Sequence, residues 1–409
     1  MPVTIDGLRA EEGDVPLRIL HTADWHVGRA IARRPRLDEH RAVLAEIAAV
    51  ARAEEVDVAV VAGDVFDQQN PGAEAERVVY DALADLRDAA RHVVVVAGNH
   101  DSPARWQALR RLADGVAIVA RPDEDVARRV IPVTGADGTR ATLLCLPWVP
   151  EHRFLTAEDV GRPEDGSHPA CSRYVAAAVR DLVAAAGTDP GALVLAAHLF
   201  AADAEVGGGE RPVTIGGAYT VRADAFPPEL AYVALGHIHR SQPVGGDTVR
   251  YAGSPLQLDF SERDDRKHVL VVDVGDGPAR VRAVPLEHGV RLHRLAGRLA
   301  DIERLAREGA LPVGHVQVLL ECDGPEPGLG DRVRDLVPGC VEVRLVHSEA
   351  RDDGAPPSLA GLSPREMFAR YLVERAGFDA ADPALLDRFE RLLEEDDGEE
   401  GDAAEDVAA

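Results

Sequence analysis

The chain has 409 residues, of which 46% are hydrophobic and 28% charged, a balance typical of a water-soluble globular protein with at least two domains. No apolar run approaches the ~18 residues of a membrane helix, and the acidic N-terminus lacks the apolar stretch of a secretory signal. Four widely spaced cysteines argue against a disulfide framework. We therefore expect a cytoplasmic protein. A net charge of −26 argues against tight unaided binding to nucleic acid, because such binding depends on Lys and Arg neutralising phosphates.

Short β-branched apolar runs alternate with helical patterns over the first 290 residues, which predicts an α/β fold. The predicted strands are Leu17–His21, Val56–Val61, His92–Ala97, Ala141–Leu146, Ala192–Ala197, Ala231–Leu235, Val249–Gly253, His268–Val272 and Ala279–Val284. Helix-spaced apolar residues predict helices around 43–51 and 78–86, the second with Asn70 as its N-cap and Pro71 in its first turn. The last three strands follow one another without long helices, which indicates a mixed or two-sheet core.

After residue 287 the pattern changes to a small α/β unit, which we predict to be a domain of its own over 288–350. Its predicted elements are a strand at Val290–Leu295, a helix at Leu299–Ala306, a strand at His315–Glu321, a helix at Asp331–Leu336 and a strand at Val341–His347. We therefore divide the chain into an N-terminal extension (1–16), a main domain (17–287), this small domain, a linker (351–362) and two terminal parts (363–395 and 396–409).

The two terminal parts differ in composition. Residues 363–395 predict a pair of short helices, the first opening with a capping box at Ser363 and the second at Asp382-Pro383. Their apolar faces are Met367, Phe368, Tyr371 and Leu372 in the first helix, and Leu385, Leu386, Phe389 and Leu392 in the second. These faces are too small for an independent core, so they must dock on the chain's own body or on another protein. Residues 394–409 hold nine acidic and no basic residues, which indicates a solvated, disordered tail.

Five predicted strands end in residues that can bind a metal ion. These residues are Asp24, His26, Asp64, Asn99, His198, His237 and His239, and His100 and Asp101 follow directly after Asn99. Because ligands of open α/β sheets bind beyond the carboxyl ends of the strands, we expect all five ends to converge on one site. A glycine directly before Asp64, Asn99 and His237 would allow the close backbone approach that such a site requires.

Two carboxylates, one amide oxygen and four imidazoles form a mixed oxygen and nitrogen donor set, which suits manganese, iron, zinc or magnesium. Seven donors are too many for one ion and about right for two ions that share a carboxylate. Two ions roughly 3.5–4 Å apart can polarise a phosphodiester, generate hydroxide at neutral pH and stabilise the leaving oxygen. The residues alone therefore predict metal-assisted hydrolysis of a phosphoester.

Each of these motifs also has an ordinary structural explanation. Asp24 could cap a helix beside a surface histidine, Gly63-Asp64 is a common turn after a strand, and a lone histidine such as His198 usually only satisfies hydrogen bonds. The run from Gly98 to Asp101 is more specific, because a turn alone would not require Asn, His and Asp in succession. The five strand ends taken together favour a metal site over these separate explanations.

The motif order DxH, GD, GNHD, H and GHxH resembles that of the calcineurin-like metallophosphoesterase superfamily. The resemblance implies a four-layer α/β/β/α sandwich around a dinuclear site. It implies that one metal is held by Asp24, His26, Asp64 and His239 and the other by Asp64, Asn99, His198 and His237, so that Asp64 bridges. It also implies that His100 contacts the scissile phosphate and protonates the leaving oxygen, and that Asp101 orients His100.

Longer segments are similar to the SbcD family of nuclease subunits. They are Ile19–Arg29, Tyr232–Arg240 followed by Gln242, and Tyr251–Glu262, and the resemblance covers about residues 17 to 395. It implies a DNA exonuclease and endonuclease of repair and recombination, acting on ends and hairpins with two Mn²⁺ ions (Mg²⁺ or other divalent ions being alternatives). It further implies that 363–395 binds an SbcC-type coiled-coil ATPase, that the small domain caps DNA, and that the chain forms a homodimer within a heterotetramer, through helices near 71–112. The glycine-rich loop at 206–211 departs from the family, where a more polar stretch is expected.

Several assignments stay open at this point. Arg29, Arg33, Arg34 and Arg36 form a basic loop that could bind the DNA backbone without reading its sequence, or could simply be solvated. Trp25 could stack on a base or pack between the ligands. The chain has no Gly-x-x-x-x-Gly-Lys-Ser/Thr motif, so ATP is expected to bind the partner only. Two alternatives to a nuclease remain, namely a phosphodiesterase for nucleotides or small molecules and a non-catalytic scaffold.

Overall fold

The computed structural model describes residues 16–111, 113–150, 153–154, 169–202, 204–205, 220–275, 277–322 and 328–347, together with 365, 368, 369, 383 and 385–389. The chain divides into two units, 1–346 and 347–409. The glycine-rich loop, the linker, and Met367, Tyr371, Leu372 and Leu392 lie outside the described residues. No helix within the described ranges is both long and apolar enough to cross a membrane.

The described part of the first unit contains two six-stranded sheets, a three-stranded sheet and a two-stranded sheet. In chain order the strands are β1 (Leu17–Thr22), β2 (Val58–Ala62), β3 (His92–Val96), β4 (Val116–Val119), β5 (Val130–Thr134), β6 (Arg140–Leu146), β7 (Ala192–His198), β8 (Phe200–Ala201), β9 (Thr220–Val221), β10 (Leu230–Gly236), β11 (Gln242–Pro243), β12 (Val249–Tyr251), β13 (His268–Val274), β14 (Arg280–Pro285), β15 (Leu292–Gly297), β16 (His315–Cys322) and β17 (Cys340–His347). The helices are α1 (Leu37–Ala53), α2 (Ala73–Ala89), α3 (Pro103–Leu109), α4 (Val126–Arg129), α5 (Pro169–Ala185), α6 (Leu299–Arg307) and α7 (Leu329–Leu336). Each predicted strand is present, with ends shifted by up to about two residues, as is usual for element boundaries.

The first large sheet has the order β14-β13-β1-β2-β3-β4, in which β1 to β4 are parallel and β13 and β14 add antiparallel strands at one side. Successive side chains of a strand point to opposite faces. In β2, Ala59 and Val61 therefore pack against α1 and α2, whereas Val58 and Val60 face the second large sheet. This sheet is covered by helices on one side and by another sheet on the other.

The second large sheet has the order β11-β12-β10-β7-β6-β5, with β6, β7, β10 and β12 parallel. In β10, Val233 and Leu235 pack in a cluster with residues of α5, whereas Tyr232 and Ala234 face the first sheet. The layers are therefore helix, sheet, sheet and helix. This confirms the predicted four-layer sandwich, and it directs the carboxyl ends of β1, β2, β3, β7 and β10 to one edge.

The start of α2 differs from the prediction. Gly72 is the N-cap, with extended backbone angles of φ −71° and ψ 156°, and its carbonyl accepts the Glu76 N–H at 3.1 Å. Because the first helical hydrogen bond begins at the N-cap, Asn70 and Pro71 precede the helix and do not form its first turn.

The small α/β unit has the predicted order of elements. Strands β15 and β16 pair in parallel, with Leu292 opposite His315, and α6 connects them. Its core consists of Ile302, Val316, Val318, Leu320, Cys322, Leu329, Val333 and Val337. These residues form a cluster of their own, although the unit belongs to the same 1–346 body as the two large sheets.

A buried polar junction joins this small unit to the large sheets. The Arg36 guanidinium donates to both carboxylate oxygens of Glu39 at 3.1 and 2.7 Å and to the Gln257 carbonyl at 2.5 Å. Glu39 also lies 2.8 Å from His315 Nε2 and accepts the Val290 N–H at 2.9 Å. We call these residues the Arg36 junction, because the buried Arg36 is at its centre.

The second unit is described only at nine residues from 365 to 389. These residues are helical, at 365, 368, 369, 383 and 385–389. Phe368 and Phe389 stack with ring centroids 4.2 Å apart, and Arg365 forms an ion pair of 2.7 Å with Asp387. These contacts fit the predicted helix pair, with Leu385 exposed and Leu386 half-buried.

Candidate metal centre

The structure brings the seven predicted ligands together at the carboxyl edge of the two large sheets. Asp24 and His26 follow β1, Asp64 follows β2, Asn99 follows β3, His198 ends β7, and His237 and His239 follow β10. All seven are buried except Asn99, which is half-buried. The residues therefore meet in the interior of one edge and not on scattered surfaces.

Asp64 lies at the centre of this cluster. Its Oδ1 accepts the His100 backbone N–H at 2.8 Å, which fixes the orientation of the carboxylate. Its Oδ2 then lies 3.6 Å from His26 Nε2 on one side and 3.4 Å from His198 Nε2 on the other. One oxygen atom thus faces both halves of the cluster.

The first half contains Asp24, His26, Asp64 and His239. Ligand atoms of the first three lie within 4.8 Å of one another, and His239 Nε2 lies 3.2 Å from His26 Nε2. The Nδ1 atoms of His239 and His26 lie 3.0 and 3.4 Å from the carboxylates of Glu262 and Asp67. If each Nδ1 carries its proton toward that carboxylate, both Nε2 lone pairs point at each other, and a cation between them would satisfy both.

The second half contains Asp64, Asn99, His198 and His237. Asn99 Oδ1 lies 3.0 Å from both His198 Nε2 and His237 Nδ1. His198 Nδ1 is held at 2.9 Å by the Ala62 carbonyl, a pure acceptor, so this nitrogen keeps a proton, and Nε2 presents a lone pair when a cation takes the place of its own proton. The lone pair converges with oxygens of Asn99 and Asp64, and three acceptors at one point are the donor set of a hard divalent cation.

The pKa values follow from burial and from the charge of Asp64. Burial raises the pKa of Asp24 to about 7 and lowers the pKa of His26 to about 4. Burial would also raise the pKa of Asp64, but the surrounding histidines, His198 first, hold it well below its ordinary value. Burial would lower the pKa of His198, yet the negative Asp64 raises it to about 9. Asp64 is therefore the carboxylate of the cluster that keeps its negative charge, and it stabilises positive charge next to it.

Close backbone packing builds the cluster. A Cβ on Gly98 would lie 2.1 Å from Asp64 Oδ1, and one on Gly63 would lie 2.2 Å from His198 Nδ1. The expected need for glycine at close approaches is thus confirmed. Four of the predicted ligands also have positive φ angles, which cost of order 1–3 kcal/mol each in non-glycine residues; they are Asp24 (53°), His26 (46°), Asp64 (49°) and His237 (109°).

His100 is oriented by a different group from the one predicted. Its Nδ1 lies 2.8 Å from the Asp67 backbone carbonyl, so Nε2 faces the cluster, 4.0 Å from Asp64 Oδ2. The prediction that Asp101 orients His100 is wrong. The Asp101 carboxylate accepts three backbone N–H groups, from Gly98 at 2.9 Å, Phe66 at 3.1 Å and Val65 at 3.4 Å, and so fastens two ligand-bearing loops together.

The basic loop after β1 divides into buried and exposed arginines. The interpretation of Arg36 as a DNA contact is wrong in this structure, because its side chain is 0% exposed and occupied in the Arg36 junction. Arg29 is half-buried and pairs with Asp67 at 3.2 Å, whereas Arg33 and Arg34 are exposed. Trp25 is fully buried and donates to Thr22 Oγ1 at 3.0 Å, so it packs and does not stack on a base.

Sequence reasoning did not find three further residues at this edge. Asp67 lies beside His26 and Arg29, Glu262 lies beside His239, and Trp148 stacks on His237 with ring centroids 5.3 Å apart. Asp67 comes three residues after Asp64 in the same loop, and this short spacing was a weak indication in the sequence that Asp67 lies near the metal centre. Glu262 ends the segment 251–262 that resembles the SbcD family, but neither its type nor its spacing points to a histidine partner.

The arrangement suits hydrolysis of phosphoesters. Two divalent ions held by these residues would activate water and polarise a phosphoryl oxygen. His100 Nε2 faces the same space, with its other nitrogen fixed by Asp67, so it can contact the phosphate and pass a proton to a leaving oxygen. The buried Asp101 carboxylate holds the loops together through the backbone N–H groups of Val65, Phe66 and Gly98.

The chain is similar to several known proteins. The sequence model of the calcineurin-like phosphoesterase family matches residues 17–241. The SbcD subunit of the SbcCD nuclease from Rhodobacter capsulatus is 40% identical over 319 residues, which are 71% of this chain and 76% of that protein. The corresponding SbcCD nuclease subunit of Bacillus subtilis is 31% identical over 394 residues, 93% of this chain and 100% of that protein. Among solved structures, a dimetal phosphatase from Danio rerio has a TM-score of 0.40 at 13% identity, covering 67% of this chain and 97% of that one.

Proposed function

Because this chain belongs to the calcineurin-like phosphoesterases and, within them, to the SbcD family, we propose that it is a metal-dependent DNA nuclease that hydrolyses phosphodiesters with two divalent ions. The observation that carries the proposal is the placement of Asp64 Oδ2 between His26 and His198, at 3.6 and 3.4 Å. A single carboxylate oxygen facing two sets of acceptors is what a bridging ligand requires.

The proposed ligand sets follow the two halves of the cluster. One ion is held by Asp24, His26, Asp64 and His239, and the other by Asp64, Asn99, His198 and His237. Mn²⁺ is the proposed native ion because the resemblance to the SbcD family implies it, and the mixed carboxylate, amide and imidazole set suits Mn²⁺ as well as other divalent ions. His100 is the proposed proton donor to the leaving oxygen.

The charge of the chain bears on how DNA is bound. A protein of net charge −26 gains little from counterion release, so the metal ions and a basic partner would supply the attraction to phosphates. We propose that the partner is an SbcC-type coiled-coil ATPase that docks on 363–395, that 288–350 caps the DNA, and that the chain works as a cytoplasmic homodimer. Of the basic loop, only Arg29, Arg33 and Arg34 remain proposed DNA contacts.

The test offers single-stranded, blunt duplex and hairpin DNA to the purified full chain with Mn²⁺ or Mg²⁺, with and without the ATPase. We expect the chain to cleave DNA only when the metal is present. We expect cleavage at duplex ends to require the ATPase and ATP as well. Cleavage of a small model diester with no cleavage of any DNA, even with the partner, would contradict the nuclease and favour a small-molecule phosphodiesterase.

His100→Ser tests the proton donor. We expect turnover to fall by about 10²–10⁴-fold, while two Mn²⁺ ions still bind, because His100 is not a proposed ligand. His92→Ser is the matched control, since His92 lies at the amino end of β3, away from the cluster, where its Nε2 is 3.3 Å from the Thr134 carbonyl. Wild-type cleavage by His100→Ser would show that another group donates the proton.

A further inference from the structure

Lys267 is the only lysine among the 45 basic residues of the sequence. Its side chain is 10% exposed, and its ammonium donates three hydrogen bonds. The acceptors are the His239 carbonyl at 3.0 Å, Ser254 Oγ at 2.9 Å and Glu262 Oε2 at 2.8 Å. Each of its three protons thus has a partner.

This environment explains why lysine stands here in a chain that otherwise uses arginine. An ammonium is a compact point charge whose three protons diverge toward acceptors on different segments. A guanidinium is larger and planar, and its donors lie in one plane. Arginine would therefore not reproduce the three bonds to a carbonyl, a hydroxyl and a carboxylate without moving one of them.

Glu262 connects Lys267 to the metal centre. It is 0% exposed, and its Oε1 lies 3.0 Å from His239 Nδ1. Its Oε2 accepts from Lys267 and from the Leu258 N–H at 3.1 Å. The carboxylate therefore directs the proton of His239 to Nδ1 and leaves Nε2 facing His26, toward the first half of the cluster.

Lys267 also holds the other end of His239. The His239 carbonyl accepts both the Lys267 ammonium and the Ser254 N–H, the second at 3.1 Å. His239 is thus fixed at its ring through Glu262 and at its backbone through Lys267. By contrast, His198 Nδ1 is held by a neutral backbone carbonyl, that of Ala62. A carboxylate partner makes an imidazole a stronger metal donor than a carbonyl does.

We propose that Glu262 and Lys267 are positioning residues for His239, which set the affinity of the first metal site and not that of the second. This inference rests on the proposed two-metal function. Glu262 fixes the tautomer and direction of the His239 ring. Lys267 neutralises the Glu262 carboxylate, and it also binds the backbone carbonyl of His239.

The experiment titrates Mn²⁺ into the chelator-treated full chain by isothermal titration calorimetry. We expect two sites in the wild type, and in Glu262→Gln and Lys267→Met a loss of about 10–100-fold in affinity at one site only. Lys267→Arg should restore only part of that loss, because it returns the charge without the three-bond geometry. Glu308→Gln is the matched control, since Glu308 forms an exposed pair with Arg304 on the small unit.

The outcomes separate this inference from the proposed function. Wild-type chain that binds fewer than two Mn²⁺ ions contradicts the two-metal function itself. Two sites in the wild type with unchanged affinities in both variants overturn the positioning role, even if the variants melt at lower temperature. Should Glu262→Gln fail to fold, Lys267→Met carries the same test, because it leaves the carboxylate in place.

The single lysine allows a second readout that does not depend on metal or activity. Acylation by a small anhydride, followed by peptide mass spectrometry, reports on Lys267 without interference from other lysine side chains. We expect Glu262→Gln to be acylated several-fold faster than wild type, because the ammonium loses its nearest ionic partner. Equal rates would contradict the pairing of Lys267 with Glu262.

Discussion

Replacing Arg36 by Met should destabilise the fold without weakening contact with DNA. The guanidinium has 0% exposed side-chain area and makes three hydrogen bonds, two to Glu39 and one to the Gln257 carbonyl. Methionine fills a similar volume but leaves Glu39 and a buried carbonyl without these donors. The change therefore removes one partner of a buried pair, which typically costs about 3–5 kcal/mol.

The pKa of Glu39 gives a second estimate and a pH dependence. Burial alone would raise this pKa, but hydrogen bonds from His315 and Arg36 lower it from 4.5 to about 2. Such a shift corresponds to about 3 kcal/mol of folding stability, to which His315, Arg36 and the Val290 N–H all contribute. Since the folded pKa is depressed, this contribution is present above pH 4.5 and is lost as the pH falls through about 2. At pH 7 we expect the free energy of unfolding of Arg36→Met to be about 3 kcal/mol lower than that of the wild type. Below pH 4 we expect a smaller difference.

Urea unfolding at pH 7 and at pH 3.5, followed by circular dichroism, measures both effects. Arg33→Met is the matched control, because Arg33 lies on the same loop with an exposed side chain and should change the free energy of unfolding by less than about 0.5 kcal/mol. If Arg36→Met unfolds like Arg33→Met at pH 7, or if the difference is the same at both pH values, the account of the junction fails.

Two further substitutions test the loops around the metal centre. Asp101→Asn leaves at least one of three backbone N–H groups facing an amide nitrogen, so we expect about 2 kcal/mol lower stability in urea unfolding with chelator present; unchanged stability with reduced turnover would restore a direct role on His100. Gly98→Ala places a Cβ 2.1 Å from Asp64 Oδ1 and 2.4 Å from the Asp64 backbone nitrogen, so Mn²⁺ binding measured by calorimetry should be lost. Gly72→Ala is the control, because a Cβ there has nothing within 4 Å, and it should bind Mn²⁺ like wild type. Normal Mn²⁺ binding by Gly98→Ala would mean that the close contact between residue 98 and Asp64 can relax to admit a Cβ.

Most of what could be predicted about the fold came from the pattern of apolar residues within short segments of the sequence. The strands that end at the metal centre are short β-branched runs, and their side-chain alternation depends only on neighbouring residues, so the runs at β1, β2 and β3 were visible without any tertiary contact. The helix α5 was missed although Val175, Val179 and Leu182 repeat at helical spacing and are buried on one face, so the signal was present in the sequence. The start of α2 was misplaced because Asn-Pro is a strong local signal that the actual N-cap, Gly72, overrides.

Residue types and their spacing along the chain were enough to predict which residues meet at the metal centre, because motif order and strand ends follow from local sequence. The groups that hold each of these residues in place could be identified only from the folded chain. Arg36 meets a carbonyl 221 residues away, His100 is held by the carbonyl of Asp67, and Glu262 reaches His239 only because the segment after β12 packs back on the end of β10. A hydrogen bond depends on angstrom-scale distance between atoms, and that distance is set by how two sheets pack together, which no local pattern records.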